Sequence, residues 1–267
     1  MVEGKGRVLA IGGSDSGGGA GIQADIKTVT ALGGYGATAV TAVTVQNTLR
    51  VAAVHPIPAE IVAAQARAVL DDIGADAIKT GMLGDARTLR AVVEVLASVP
   101  EIPTVVDPVL AASSGARLLT PEAEALLKAE LVPRAALLTP NAVEAHALTG
   151  IEVLSLDDQR RAADALLAAG ARAVLLKGGH IPGARVVDLL ASPAGEVLLE
   201  GERTQTRHTH GTGCTLASAC AVGLAQGLTL EAAVRRAFAY VAEAIRRAPG
   251  FGAGAGPLGH GWPLTDR

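Results

Sequence analysis

Apolar residues follow two different spacings along this chain, and the two kinds of segment alternate from end to end. Continuous runs rich in Val, Ile, Leu and Ala predict buried strands, at residues 7–12, 37–45, 77–80, 104–107, 136–139 and 173–177. Apolar residues at three- and four-residue spacing predict helices, at residues 20–32, 58–71, 86–96, 121–131, 142–148, 157–168 and 215–224, with a last helix whose apolar stripe runs over 230–245. A hairpin is predicted where the short strands 186–190 and 197–200 flank a Ser-Pro-Ala-Gly turn, and the glycine-rich stretch 250–261 predicts irregular structure.

This alternation of strands and helices predicts the α/β fold class. We expect a single domain over residues 1–267, with a central, mainly parallel sheet and helices on both faces. No linker, charge run or internal repeat divides the sequence. Ligands of such sheets bind beyond the carboxyl ends of the strands, so the segments just after the strands are the place to look for a site.

Composition limits the class of protein. Of the 267 residues, 49% are hydrophobic and only 2% aromatic, which indicates a large core of Ala, Val, Leu and Ile. The formal net charge of −3 argues against a nucleic-acid partner, and no apolar run approaches the ~20 residues that span a bilayer. Cys214 and Cys220 fall on one predicted helix without disulfide or metal-ligand spacing, which favours a reducing cytoplasm.

The run from Thr209 to Cys214 is the most informative stretch for chemistry. Gly211, Thr212 and Gly213 precede a predicted helix, so their backbone N–H groups lack helical partners and predict an anion site at the positive end of the helix dipole. Cys214 lies in that field, which predicts a lowered thiol pKa. The alternative is an ordinary buried cysteine.

A glycine-rich loop follows the first predicted strand at residues 12–21. It lacks the Gly-Lys-Ser/Thr ending of a P-loop and is not a clean dinucleotide fingerprint. On the following helix, Asp25 projects toward the apolar face, where a bare carboxylate is costly and needs a partner. That partner is either a ligand hydroxyl or a buried salt bridge.

Polar residues interrupt the end of the second strand at Gln46 and Asn47. A side-chain amide both donates and accepts, which suits a heterocycle with ring nitrogens and an amino group, although loop polarity explains the pair nearly as well. Met82 is either an adaptable apolar wall or core filler. His208 and His210 have a spacing that could bind a metal, but nothing completes such a site, so we interpret them as loop residues.

Further charged residues stand at other strand ends. Asp107 ends a strand and could hold a magnesium-bound water. Asn141 and Glu144 share one face of a helix opening, where Asn141 can also cap the helix. Lys177 precedes two glycines and could balance phosphate charge.

These motifs together resemble the hydroxymethylpyrimidine/phosphomethylpyrimidine kinases of thiamine biosynthesis, in the ribokinase-like superfamily. The matching pieces are AIGGSD at residues 10–15, GGAGIQADIK at 18–27, QNT at 46–48, KTGML at 79–83, VDPV at 106–109, TPN at 139–141, EA at 144–145, LKGGH at 176–180 and HGTGC at 210–214. One departure is that many relatives carry a lysine before Ser-Gly where this chain reads Ala-Ser-Ser-Gly at 112–115. The phosphate contact that the resemblance implies for that lysine has no lysine to make it at residues 112–115.

The resemblance implies a homodimer that uses ATP and magnesium for two successive phosphorylations. The first acts on the hydroxymethyl group of 4-amino-5-hydroxymethyl-2-methylpyrimidine, and the second converts the monophosphate to the diphosphate. Neither a nucleic acid nor a membrane is an expected partner.

The resemblance also implies roles for individual residues. Cys214 would orient and deprotonate the hydroxyl, and Gly211, Thr212 and Gly213 would form the anion hole for the transferred phosphoryl group. The substrate would be bound by Gly13, Asp25, Gln46, Met82 and the backbone near Val109. ATP would contact Lys177, Asn141 and Glu144, and Asp107 and Glu144 would organise magnesium largely through water.

Two other functions stay open at this point. One is a pyridoxal kinase of the same cysteine-containing group, whose substrate also bears a hydroxymethyl group. The other, from a different class, is a pyrimidine-binding sensor without catalysis.

Overall fold

The computed structural model describes residues 6–111 and 118–265, and within them nine strands form one sheet in the order β3-β2-β1-β4-β5-β6-β7-β8-β9. The strands are β1 (Arg7–Ser14), β2 (Tyr35–Gln46), β3 (Val51–Pro56), β4 (Ala77–Thr80), β5 (Thr104–Val106), β6 (Leu137–Leu138), β7 (Val174–Leu176), β8 (Arg185–Ser192) and β9 (Gly195–Glu202). The helices are α1 (Gly21–Ala31), α2 (Ala59–Asp72), α3 (Ala86–Ala97), α4 (Pro121–Leu126), α5 (Ala142–Thr149), α6 (Leu156–Ala168), α7 (Thr212–Ala225), α8 (Leu230–Arg246) and α9 (Trp262–Thr265).

The centre of the sheet is parallel and its edges are antiparallel. Strands β2, β1, β4, β5, β6 and β7 pair in parallel, whereas β3 runs against β2, and β8 and β9 form an antiparallel pair beside β7. The predicted α/β class with a mainly parallel sheet is thus confirmed. The predicted hairpin is also confirmed, with strands longer than expected.

Successive residues of the central strands enter cores on opposite faces of the sheet. Leu9 and Ile78 pack with α2, α3, α5 and α6 on one face, whereas Val8 and Ala77 pack with α1, α7 and α8 on the other. This alternation explains why the strands read as continuous apolar runs, because both faces are covered by helices.

Two local predictions differ from the structure. Strand β3 was not predicted, because most of its residues are exposed and it carries no alternation of buried and exposed side chains. The helix predicted over 121–131 ends at Leu126 and continues as a π-helical turn, Leu127–Leu131. In the described part of the chain, no helix is both long and apolar enough to span a membrane.

Candidate active site

A cavity of about 740 Å³ opens at the carboxyl ends of the parallel strands. Every site residue predicted from the sequence lines it: Gly13, Asp25, Gln46, Met82, Asp107, Val109, Asn141, Glu144, Lys177, Gly211, Thr212, Gly213 and Cys214. Parallel strands all end at the same edge of a sheet, which is why residues so far apart in sequence meet here. Residues 112–115, where relatives carry the lysine, lie outside the described residues.

Helix α7 begins at the floor of this cavity with a backbone cap. Gly211 precedes the helix at φ 84°, and a β-carbon there would collide with the carbonyl oxygen of Gly19. The first helical hydrogen bond runs from the Thr215 N–H to the Gly211 carbonyl, so the N–H groups of Gly213 and Cys214 have no partner within the helix. The Thr212 N–H instead bonds the Thr209 carbonyl at 3.3 Å. The Gly213 and Cys214 N–H groups therefore remain for the predicted anion hole, whereas the N–H of Thr212, which the sequence also assigns to it, already has a protein partner.

Cys214 is the third residue of α7 and is partly exposed to the cavity. Burial raises the pKa of its thiol to about 11, against the opposing effects of the Lys79 ammonium and the Gly21 N–H. The carboxylates of Asp25 and Asp107 add to the increase. The expectation of a lowered pKa is therefore wrong for this structure, because desolvation of the thiolate outweighs the favourable groups around it.

Asp25 is fully buried and its carboxylate is bound by protein groups. Lys79 Nζ lies 2.9 and 3.1 Å from the two carboxylate oxygens, and the Ser218 hydroxyl donates to Oδ1 at 2.6 Å. Burial raises the pKa of Asp25, while Lys79 and Ser218 act in the opposite direction. Of the two partners considered for Asp25, the structure contains the salt bridge.

A second charged cluster lies across the cavity floor. Lys177 Nζ is 3.2 Å from Asp107 Oδ1 and 3.6 Å from Glu144 Oε2. Asn141 and Glu144 form a capping box at the start of α5, each side chain accepting the other's backbone N–H at 2.9 and 2.8 Å. Burial raises the pKa of Glu144 to about 7, which Lys177 opposes and Asp107 reinforces.

This cluster adjoins the anion hole. A β-carbon at Gly213 would lie 3.3 Å from Lys177 Nζ and 3.6 Å from Asp107 Oδ2. Over the described residues, no three His, Cys, Asp or Glu side chains are grouped to enclose a metal ion. Two carboxylates without a closed cage fit Mg²⁺, which keeps several waters and completes its shell with phosphate oxygens.

Met82 and Gln46 line another part of the cavity. Met82 packs against Gly13, with its sulfur 3.1 Å from where a β-carbon would stand. Thr44 Oγ1 donates to the amide oxygen of Gln46 at 3.3 Å, and the amide nitrogen lies 3.2 Å from His210 Nε2. Asn47 instead accepts the N–H groups of Leu49 and Arg50, so it serves its own loop.

His210 lies in the loop between β9 and α7, in agreement with its interpretation as a loop residue, but its side chain has a structural role that the sequence does not reveal. Its ring is buried, and Nε2 lies 2.8 Å from Asp15 Oδ2. Asp15 also accepts the backbone N–H groups of Gly17, Gly19 and Ala20, so it organises the glycine-rich loop. The periodicity of the chain contains no signal for this contact.

Lys79 and Ser218 were also not identified as site residues. Lys79 belongs to the KTGML segment, where its charge alone does not indicate a partner, and Ser218 lies in an apolar helix where a small hydroxyl gives no sequence signal.

Residues 15–259 match the family model described as phosphomethylpyrimidine kinase. The chain belongs to the phosphomethylpyrimidine kinase family. A relative from Streptomyces coelicolor, named hydroxymethylpyrimidine/phosphomethylpyrimidine kinase, is 50% identical over 97% of this chain and 96% of its own. The thiamine biosynthesis bifunctional protein ThiED of Geobacter sulfurreducens is 48% identical over 96% of this chain, which spans about half (52%) of that protein.

Solved structures place this phosphomethylpyrimidine kinase family member among the ribokinase-like folds. The pyridoxal kinase from Staphylococcus aureus, in complex with AMP-PCP and pyridoxal, superposes with a TM-score of 0.88 at 35% identity. The match covers 96% of this chain and 93% of that one. The predicted family and fold are both confirmed.

Proposed function

We propose that the protein is an ATP-dependent kinase of thiamine biosynthesis. It phosphorylates 4-amino-5-hydroxymethyl-2-methylpyrimidine and then converts the monophosphate to the diphosphate. Relatives named for these activities are about half identical to it over nearly the whole chain. The observation that carries the proposal is the start of α7, where Cys214 and two unpaired N–H groups face the cavity beside Lys177 and Asp107.

The first transfer requires a base, an anion site and charge neutralisation. The Cys214 thiolate takes the proton of the hydroxymethyl group as its oxygen attacks the γ-phosphorus of ATP. The bond from the γ-phosphorus to the β,γ-bridging oxygen breaks, and ADP leaves with the electron pair. The N–H groups of Gly213 and Cys214 stabilise the charge on the transferring phosphoryl group.

The phosphate end of ATP is assigned to the cluster around Lys177. Its ammonium lies within 3.6 Å of two carboxylates and is placed to turn to a phosphate oxygen. Magnesium bound through water by Asp107 and Glu144 would neutralise phosphate charge. Asn141 contributes by fixing Glu144 through the capping box. The solved pyridoxal kinase complex with AMP-PCP supports a nucleoside triphosphate in this fold.

The pyrimidine is assigned to the part of the cavity that Met82 and Gln46 line. Met82 would pack on the ring, and the Gln46 amide would bind its edge. Gly13 and the backbone at Val109 line the space left for it. Asp25 lies below this space, and its carboxylate already has two protein partners.

A pyridoxal kinase is the second candidate, because a solved pyridoxal kinase with pyridoxal bound shares the fold at 35% identity. Comparing kcat/KM for pyridoxal and for the hydroxymethylpyrimidine decides between them. We expect the pyrimidine to be preferred, and preference for pyridoxal would contradict the substrate assignment. The sensor alternative predicts binding of the pyrimidine without phosphoryl transfer.

The direct test is incubation with ATP, magnesium and the hydroxymethylpyrimidine, with products resolved by chromatography and mass. We expect the monophosphate to appear first and the diphosphate to follow, with ADP formed in step. Absence of both products while the pyrimidine binds would replace the kinase with the sensor.

We also propose that two copies pair through β2. Val43 and Val45 lie on one face of this strand and are 46% and 61% exposed, which is unusual for adjacent valines of a sheet. Val45→Asp should convert a dimer to a monomer in sedimentation analysis, whereas Leu154→Asp, at an equally exposed apolar residue elsewhere, should not. A wild-type monomer would contradict this proposal.

The two free cysteines support a reducing cytoplasm as the compartment of the protein.

A further inference from the structure

The ion pair of Asp25 and Lys79 is more deeply buried than its structural role requires. The two side chains are 0% and 1% exposed, and the ammonium bonds both carboxylate oxygens. Burying such a pair is expensive, and well-packed apolar side chains of similar size usually stabilise a fold at least as well. The pair therefore calls for a role in the chemistry of the cavity that it lines.

Helix α7 connects this pair to Cys214. Ser218 follows Cys214 by one helical turn, so both side chains lie on the same face of the helix. The Ser218 hydroxyl donates to Asp25 Oδ1, the same oxygen that Lys79 binds at 2.9 Å. Asp25 thus fixes the ammonium with respect to the helix that carries the thiol.

The space between Lys79 and the end of β4 is just large enough for the ammonium group. Lys79 is the penultimate residue of β4, and Gly81 follows the strand. A β-carbon at Gly81 would lie 2.9 Å from Lys79 Nζ, so the ammonium occupies the space above this glycine. Lys79, Asp25 and Cys214 all line the same cavity.

We propose that Lys79 is a positioning residue for the phosphoryl transfer: its ammonium, fixed by Asp25 and Ser218, stabilises the thiolate that the buried Cys214 forms in order to remove the proton of the alcohol. The inference deepens the proposed function, since it concerns how the assigned base becomes active.

The charges around the thiol are consistent with this role. Lys79 on β4 favours the thiolate, and Lys177 after β7 interacts favourably with it as well. Asp25 on α1 and Asp107 after β5 oppose it. Burial and the charges of Asp25 and Cys214 act on Lys79 in opposite directions, and the pKa of Lys79 is raised, so it stays protonated while the thiol ionises.

The test measures the reactivity of the thiol, which needs neither ATP nor alcohol. In a Cys220→Ala background, iodoacetamide alkylation of Cys214 is followed by mass spectrometry at several pH values. Asp25→Asn/Lys79→Met removes both charges together, so no unpaired charge is left buried. We expect the rate at about pH 8.5 to fall at least about tenfold, which corresponds to a thiol pKa higher by about one unit.

Two controls separate the effect of charge from that of packing, and a second variant replaces the first if it does not fold. Arg90→Met/Glu122→Gln removes an exposed ion pair and should leave the rate unchanged. Hydrogen peroxide, a smaller reagent, should slow by the same factor as iodoacetamide, whereas a change of access would alter the ratio of the two rates. If the double variant fails to fold, Lys79→Gln, whose side chain is one bond shorter but can still donate a hydrogen bond to Asp25, is measured in its place with the same expectation.

A folded double variant that reacts within about twofold of the wild type would overturn the inference. If the double variant is alkylated more slowly but the wild type transfers no phosphoryl group, the effect of Lys79 on the thiol stands and the proposed function fails. If the double variant is alkylated at the wild-type rate and the wild type is an active kinase, the inference fails and the proposed function stands.

Discussion

His210 and Asp15 lie 195 residues apart in the chain and meet across the cavity, with His210 Nε2 2.8 Å from Asp15 Oδ2. His210 lies shortly before the anion hole, and Asp15 accepts three backbone N–H groups of the glycine-rich loop. The contact therefore joins the glycine-rich loop to the loop before α7, and His210 Nε2 also lies 3.2 Å from the Gln46 amide nitrogen.

Asp15→Asn tests this connection. Burial raises the pKa of Asp15, but the hydrogen bonds from His210 and from the loop N–H groups lower it by more. The pKa of Asp15 is therefore lower in the folded protein than in the unfolded one. Its contribution to stability is then present above the unfolded pKa and lost as the pH falls through the folded pKa. We expect the substitution to lower the free energy of unfolding by about 1–3 kcal/mol near pH 7 and by less near pH 3, measured by urea denaturation. An equal loss at both pH values would contradict a charged role.

Gly211→Ala tests the cap of α7. The alanine would hold an unfavourable positive φ, at a typical cost of about 1–2 kcal/mol, and its β-carbon would collide with the Gly19 carbonyl oxygen. Gly227→Ala is the matched control, because Gly227 has φ 79° but nothing within 4 Å of its β-carbon position. Denaturation midpoints should show a clearly larger loss for Gly211→Ala, together with loss of activity. Equal losses would mean that the loops are not tightly packed.

Cys214→Ala tests the base. Removal of a general base lowers turnover by roughly 10²-fold or more, with a modest effect on substrate binding. The measurement is kcat and KM for the hydroxymethylpyrimidine, and Cys220→Ala, the second and fully buried cysteine, serves as the control. Unchanged turnover in Cys214→Ala would remove this cysteine from the mechanism.

Glu144→Gln tests the magnesium cluster. Burial raises the folded pKa of Glu144 to about 7, well above the ordinary value of 4.5, so its contribution to stability is present below the unfolded pKa and lost as the pH rises through about 7. The glutamine does not titrate and can keep the capping box. Between pH 4.5 and 7.5, we expect the wild type to lose on the order of 2 kcal/mol of unfolding free energy relative to the variant.

The same variant reports on the metal. Loss of a carboxylate should raise the magnesium concentration for half-maximal activity, with little change in KM for the pyrimidine. A pH-independent stability difference would show that Glu144 stays ionised in the folded protein, and an unchanged magnesium requirement would remove it from the metal site.

The sequence by itself determined the fold class and which of the candidate residues line the cavity. Apolar runs separated by helical segments specify parallel strands covered on both faces, and residues after such strands converge because the strands end at one edge. Asp107, Asn141 and Lys177 could therefore be assigned to one site from their positions alone. Strand β3 could not, since an exposed edge strand needs no apolar alternation.

Only the tertiary structure decided how these residues are paired and charged. Lys79 and Asp25 are 54 residues apart, and His210 and Asp15 are 195 apart, so no local spacing connects them. The raised pKa of Cys214 has the same origin: the start of a helix is visible in the sequence, but the removal of water from the thiol and the opposing charges of distant side chains arise only when the chain is packed.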